Sequence, residues 1–145
     1  MKLLFLFGPN LNLLGSREPA WYGTRNFEWI CETIQREGKK RGVDVTIFQS
    51  NHEGAIIDRL HSAREEVDGI VFNPGAFTHY SLAIRDALQA VNIKTIEIHM
   101  SNIYQREEFR HRSVIAPVCF GQISGLGWFG YLLAMDAFLL EKDNR

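Results

Sequence analysis

Apolar residues occur along this chain as short runs separated by stretches of helical spacing. The first run, Leu3-Leu4-Phe5-Leu6-Phe7, has no polar alternation and ends at Gly8-Pro9, the pattern of a strand buried on both faces. Phe27, Ile30, Cys31 and Ile34 then recur at steps of three and four, which predicts a helix over about 25–40. Arg36, Lys39, Lys40 and Arg41 gather near its C-terminal end, where they complement the helix dipole, and Gly42 ends it. Val43 to Phe48 is rich in β-formers and predicts a second strand. Ser50 with Glu53 has the spacing of a capping box, opening a helix that runs to about Glu66 with Ala55, Ile56, Leu60 and Ala63 inward. Gly69 to Phe72 predicts a third strand, stopped by Asn73-Pro74-Gly75. A helix over about His79–Val91 and a strand over Lys94–Ile98 follow. The polar segment Arg106–Ser113 has room for one helical turn, Pro117–Phe120 reads as a fifth strand, and a last helix runs from Gly125 to about Lys142.

Strands alternating with amphipathic helices predict a parallel sheet covered on both faces. Five such units in 145 residues predict an α/β, flavodoxin-like three-layer sandwich, a five-stranded parallel sheet in the order 2-1-3-4-5, with residues 1–145 as a single domain. Ligands of such sheets bind outside the carboxyl ends of the strands. Those ends carry Asn10 and Asn12, Ser50 and Asn51, Asn73, and His99, Ser101 and Asn102. The last helix is apolar on most sides until Asp136 and Glu141, so it is expected to bury a second face against another subunit.

Composition narrows the partners. A net charge of -1 gives no reason to expect nucleic acid or an anionic membrane surface. No apolar run nears the roughly 20 residues that span a bilayer, and the N-terminus lacks a signal-peptide pattern. The two cysteines form no CxxC pair, so a reducing cytoplasm fits best, and the five histidines show no metal-ligand spacing. Gly125-Leu126-Gly127-Trp128-Phe129-Gly130 matches GxGxxG, yet only 15 residues follow it, too few for the strand and acid that a dinucleotide site needs. Close helix packing is the plainer reading of those glycines. The leucines after Pro9 argue against a flavin-phosphate loop. Asparagines in place of acids after the first strand argue against a phosphorelay receiver.

Three segments carry candidate chemistry. The stretch Gly8–Gly23 is too long for an ordinary strand-to-helix turn, and long loops in compact domains tend to be lids or binding loops. It holds Arg17 and Tyr22. A phenol is a poor base at neutral pH unless a neighbouring cation favours the phenolate, which a guanidinium can do. Packing of Trp21 and Tyr22 to hold the loop down is the alternative. In the second segment, Glu97 and His99 fall on one face of a strand while Ile96 and Ile98 take the other. A carboxylate inside a sheet needs a partner, and an imidazole oriented by one is suited to proton transfer. The alternative is a Glu97 paired with Arg106 or Arg110. The third segment sets Asn73 at a strand end and His79 near a helix start, with Thr78 and Ser81 readable as turn caps. Arg106, Arg110 and Arg112 offer forks for a ligand carboxylate or, alternatively, pair with Glu107 and Glu108. Lys2 and Lys94 begin strands, and Lys39, Lys40 and Lys142 sit at helix ends, so Schiff-base chemistry is disfavoured. Acid–base chemistry on a small polar acid remains, against a noncatalytic small-ligand module on the same fold.

At these residues the chain resembles the type II 3-dehydroquinate dehydratases over nearly its whole length. The motifs are Gly8-Pro9-Asn10-Leu11-Asn12 with Arg17-Glu18-Pro19 and Tyr22-Gly23; Asn73-Pro74-Gly75-Ala76 with Thr78-His79-Tyr80-Ser81; Glu97-Ile98-His99 with Ser101-Asn102; and Arg106-Glu107-Glu108-Phe109-Arg110. The resemblance implies a flavodoxin-like fold, a homo-oligomer (a dodecamer built from trimers), and dehydration of 3-dehydroquinate to 3-dehydroshikimate without metal or cofactor. It implies Tyr22 as the base, Arg17 as its activator, a water near Asn10 holding an enolate, and His99 as the acid with Glu97 orienting the site. It further implies substrate contacts from Asn73, His79, Arg110, Met100 and Ser101, and Asp86 reaching the site of a neighbouring subunit. Phe77 and Tyr104-Gln105 depart from the family pattern at positions outside the catalytic set. The Gly8–Gly23 loop is expected to act as a mobile lid that completes the site on closure.

Overall fold

In a computed structural model of the protein, residues 1–16 and 25–143 are described. Strands β1 (Lys2–Phe7), β2 (Asp44–Gln49), β3 (Gly69–Asn73), β4 (Thr95–His99) and β5 (Gly121–Ser124) form one sheet in the order β2-β1-β3-β4-β5. Every pairing is parallel. Helices α1 (Phe27–Lys40), α2 (Glu53–Ser62), α3 (Leu82–Val91) and α4 (Phe129–Asp143) cover it. The doubly wound sandwich expected from the pattern of runs is the one observed. No helix among the described residues is long and apolar enough to cross a membrane.

The sheet separates two apolar layers because successive strand residues face opposite ways. Leu3, Phe5, Phe7, Val71, Ile96 and Ile98 pack with Ile30 and Ile34 of α1 and with Tyr131, Met135 and Phe138 of α4. Leu4, Leu6, Ile70 and Phe72 pack with Ile56 and Leu60 of α2 and with Ile84 and Leu88 of α3. Each fully buried side chain of this kind stabilises the fold by about 1.5–3 kcal/mol. Polar caps set the helix starts. Asn26 Oδ1 accepts from the Trp29 amide at 2.8 Å at the start of α1, and Ser81 Oγ accepts from the Ile84 amide at 3.1 Å at the start of α3.

Several boundaries differ from the sequence reading. The fifth strand is Gly121–Ser124, not Pro117–Phe120; Ala116–Val118 forms a 3-10 turn instead. Pro117 has no N–H for a sheet ladder, and the Ser113 hydroxyl accepts from the amides of Ile115 and Ala116, which fastens this stretch as a turn. Ser50 and Glu53 form no capping box. Ser50 Oγ accepts from the His52 amide, while Glu53 accepts from the Ser81 hydroxyl at 2.6 Å and so ties α2 to α3. Helix α2 stops at Ser62 and passes into a 3-10 turn, Ala63–Glu65. Residues Gly75–His79 form another 3-10 turn, so α3 begins at Leu82 rather than His79. The Arg106–Ser113 segment holds one 3-10 turn, Glu108–Arg110, just after a neighbouring one at Ile103–Gln105. The last helix begins at Phe129; Gly125 and Gly127 precede it with φ of 93° and 58°. Its Phe129, Leu133 and Leu140 stand exposed on this single chain.

The carboxyl ends of β1 and β3 meet at Gly8. Its amide donates to the Asn73 carbonyl at 2.7 Å, and a Cβ built there would lie 2.2 Å from the Pro74 carbonyl oxygen. Both groups are backbone, so neither can swing aside. Gly8→Ala is therefore expected to cost about 1–3 kcal/mol from overpacking. Thermal unfolding should show a Tm several degrees lower, and an unchanged Tm would mean the two strand ends are not locked together.

Candidate functional site

A cleft of about 150 Å³ opens where the strands end, between the segments that follow β1, β3 and β4. Asn10, Asn73, His79, His99, Met100, Ser101, Arg106 and Arg110 line it. Seven of the eleven residues singled out in the sequence are in that wall. Glu97 lies behind it, hydrogen-bonded to His99. Asp86 sits on the exposed side of α3 and is not part of the lining on the same chain. Arg17 and Tyr22 lie outside the described residues, as does the second half of the loop expected to act as a lid; its first half holds a 3-10 turn, Leu11–Leu13, with Leu11 and Leu14 buried. A larger hollow of about 260 Å³ is found among Met1, Asp68, Lys94, Phe138, Glu141 and Lys142, where Lys94 and Glu141 are already ion-paired. It lies at the amino ends of the strands, where Lys2 and Lys94 were placed, and offers none of the convergent groups seen in the cleft.

The far wall is built by backbone pinning. Asn10 takes a left-handed conformation, φ 68°, which asparagine tolerates, and its amide donates to Asn51 Oδ1 at 2.9 Å. Gln49 Nε2 donates to the Gly8 carbonyl and to Asn51 Oδ1, both at 3.1 Å, closing a small network over β1 and β2. Asn73 is 3% exposed, and its amide is held at both ends. Its Nδ2 donates to the Tyr131 hydroxyl at 2.8 Å, and its Oδ1 accepts from the Gly75 amide at 3.1 Å. An amide so fixed presents its remaining N–H in one direction only. Tyr131 was not identified from sequence, and nothing local in the sequence relates it to a strand end 58 residues away.

Residues 99–101 are tethered by the stretch between β5 and α4. The amide of Gly125 donates to the His99 carbonyl at 3.1 Å and that of Gly127 to the Met100 carbonyl at 2.9 Å, while Ser124 Oγ donates to the Ser101 carbonyl at 3.1 Å. A Cβ on Gly125 would come within 2.9 Å of Asn102 Cβ. The glycines of the GxGxxG match therefore allow close packing that holds the strand end.

Glu97 is fully buried. Its Oε1 accepts from His99 Nε2 at 2.9 Å, from Ser113 Oγ at 2.8 Å and from the Thr78 hydroxyl; its Oε2 accepts from Gln122 Nε2 at 2.8 Å. Burial favours the neutral acid, but the bond and charge of His99 and the two hydroxyls outweigh it and hold Glu97 below the ordinary carboxylate range. The alternative pairing of Glu97 with Arg106 or Arg110 is not seen. Arg110 Nε instead contacts Glu107 at 2.8 Å, and Arg106 lies 3.7 Å from the same carboxylate. Both arginines keep their place in the cleft wall. Arg112 is exposed and contributes its carbonyl rather than its guanidinium.

His79 Nδ1 donates to that Arg112 carbonyl at 2.8 Å, and its ring stacks on His99 with centroids 6.4 Å apart. Burial depresses its proton affinity; the charges of His99 and Arg110 add to this, against the Arg112 bond. The cleft thus holds an imidazole backed by a carboxylate, a second pushed toward neutrality, two arginines and a fixed amide. Such a set can bind a hydroxylated carboxylic acid and move one proton at its far side.

The family model described as "Dehydroquinase class II" matches residues 1–139. A 3-dehydroquinate dehydratase of Clostridium beijerinckii is 55% identical over all of both chains. One of Thermotoga maritima is 59% identical, covering 94% of this chain and 93% of its own. Among solved structures, the type II dehydroquinase of Butyrivibrio crossotus has a TM-score of 0.93 at 55% identity, covering 94% of this chain and 96% of that one.

The lowered proton affinities of Glu97 and His79 set how stability depends on acid. Each binds its proton less readily folded than unfolded, so each contribution is whole above the unfolded value and is lost as the pH falls through the folded one. Denaturant unfolding should show stability falling first below about pH 6.5, from His79, and again below about pH 4.3, from Glu97. His79→Gln is expected to flatten the first fall and leave the second. A first fall that survives this substitution would remove His79 as its source.

Proposed function

The chain belongs to the class II dehydroquinase family, and from that premise we propose that the carboxyl-end cleft is where 3-dehydroquinate is dehydrated. Membership makes the reaction the conversion of 3-dehydroquinate to 3-dehydroshikimate, a lyase step of the shikimate pathway. In our reading Tyr22, as a phenolate favoured by Arg17, removes a proton from C2. The electron pair moves onto the C3 carbonyl oxygen as an enolate, held by a water near Asn10. The enolate then collapses, the C1–O bond breaks, and His99 gives its proton to the departing hydroxyl, which leaves as water. Tyr22 ends protonated and His99 neutral, so exchange with solvent resets both.

The observation that carries this reading is the buried Glu97 carboxylate bonded to His99 at the cleft wall. A binding module needs no such poised proton group. Arg110 is assigned to the substrate carboxylate, and Asn73, His79 and the Met100-Ser101 backbone to its hydroxyls. Asp86, exposed on α3, is assigned to the cleft of a neighbouring copy in a dodecamer of trimers. The exposed Phe129, Leu133 and Leu140 support an assembly of some kind. We place the protein in the cytoplasm on its cysteine usage.

Adding 3-dehydroquinate to the folded protein should raise an enone absorbance; no rise would overturn the reading. Tyr22→Phe should lower kcat about 10²–10⁴-fold, the usual worth of a positioned base. Calorimetry should find its substrate affinity nearly unchanged, and retained turnover would remove Tyr22 from that role. Borohydride added with substrate should not inactivate the protein, whereas inactivation would bring back the lysine route.

A further inference from the structure

We propose that Gln122, on the edge strand β5, is a positioning residue for proton transfer by His99, acting through the carboxylate of Glu97. This deepens the reading of the cleft given above and rests on it. The sheet register pairs Glu97 directly with Gln122, so the two side chains leave the sheet on the same face. Gln122 Nε2 lies 2.8 Å from Glu97 Oε2. The two carboxylate oxygens have different company. Oε1 takes His99, Thr78 and Ser113, whereas Gln122 is the donor found on Oε2 among the described residues. With donors at both ends the carboxylate plane is fixed, and Oε1 stays aimed at His99 Nε2. Ring nitrogen Nδ1 is then the one open to a ligand.

The choice of an amide has chemical content. A carboxylate oxygen buried without a donor would make Glu97 more basic and draw the shared proton away from the imidazole. A cation in the same place would neutralise Glu97 and remove its support for an imidazolium. A neutral N–H satisfies the oxygen without competing for the charge. Among the described residues, other groups near the pair are His79 from the 75–79 turn, Arg106 and Arg110 from the 103–110 segment, and Cys119 from the stretch before β5. The Cys119 thiol is pushed up to about 12, by burial first and then by the charge of Glu97, so it stays protonated beside the pair.

The test uses Gln122→Met, of similar length without a donor, and Gln122→Lys, which adds a cation. Histidine-ring ¹⁵N spectra of the ligand-free protein follow the titration of His99, and kcat and KM are measured against pH. Gln122→Met should move the titration of the pair to higher pH and lower kcat about tenfold, with KM within about twofold, the scale of one hydrogen bond to a charged group. Gln122→Lys should move the titration to lower pH. Opposite shifts are what a purely structural role would not produce. Amide spectra check that each variant folds. Should Met not be tolerated, Gln122→Ser, which admits water as a weaker donor, should give a smaller shift in the same direction. A His99 titration that does not move, or moves the same way in Met and Lys, overturns the proposal. The spectra need no substrate, so an absence of 3-dehydroquinate turnover in the parent protein would fail the functional reading separately.

Discussion

The buried carboxylate of Glu97 is the constraint around which the working end of this fold is assembled. Moving an ion of that size out of water costs several kcal/mol even after relaxation, unless hydrogen bonds replace its hydration. Here the replacements come from four places in the chain: Thr78 in the turn after β3, His99 on the same strand, Ser113 in the segment after β4, and Gln122 on β5. Each is also a piece of the cleft's frame. Satisfying one charge therefore fixes two connecting segments and two strands against one another. The donor that faces the cleft, His99, is delivered by the same requirement.

The remaining wall follows from strand ends that cannot spread. Gly8 admits the Pro74 carbonyl where any Cβ would strike it, so the segments after β1 and β3 leave the sheet in contact. The Asn73 amide is then clamped between the Gly75 amide and the Tyr131 hydroxyl, which comes from α4 in the layer that Asn73 faces. Gly125 and Gly127 bring the approach to α4 up against the end of β4. Most polar groups in the cleft thus rest on backbone bonds or on buried side chains. Such support favours a preformed wall among the described residues, one that the ligand need not order.

Patterns that obey local periodicity were legible in the sequence. The order of strands and helices and the shared face of Glu97 and His99 follow from steps of two or of three and four, and the sheet order follows from the fold class that this alternation implies. Proline misled the reading at β5, because Val118, Cys119 and Phe120 look strand-like. Only the missing N–H of Pro117 and the hydroxyl of Ser113 show that this stretch is a turn. That misplacement by four residues hid Gln122, whose relation to Glu97 exists only once the register of β4 and β5 is known. Ser113 and Tyr131 stayed hidden for the same reason, since each meets its partner across the fold. The roles of Arg17 and Tyr22 rest on resemblance, because periodicity says nothing about a loop.

The two imidazoles in the cleft show how their surroundings can divide one residue type into two tasks. They stack 6.4 Å apart, so a charge on one disfavours a charge on the other. The acceptors behind them break the tie. His79 is bonded to the Arg112 carbonyl, which accepts an N–H from a neutral ring as well as from a charged one. His99 is bonded to a carboxylate, which rewards the positive charge itself. The charge of Arg110 weighs further against charge on His79. These contacts weigh against charge on His79, which is left as a hydrogen-bonding group, while His99 is held against the carboxylate of Glu97. The separation follows from which acceptor each ring meets, and the fold supplies those acceptors from segments that neither histidine adjoins in sequence.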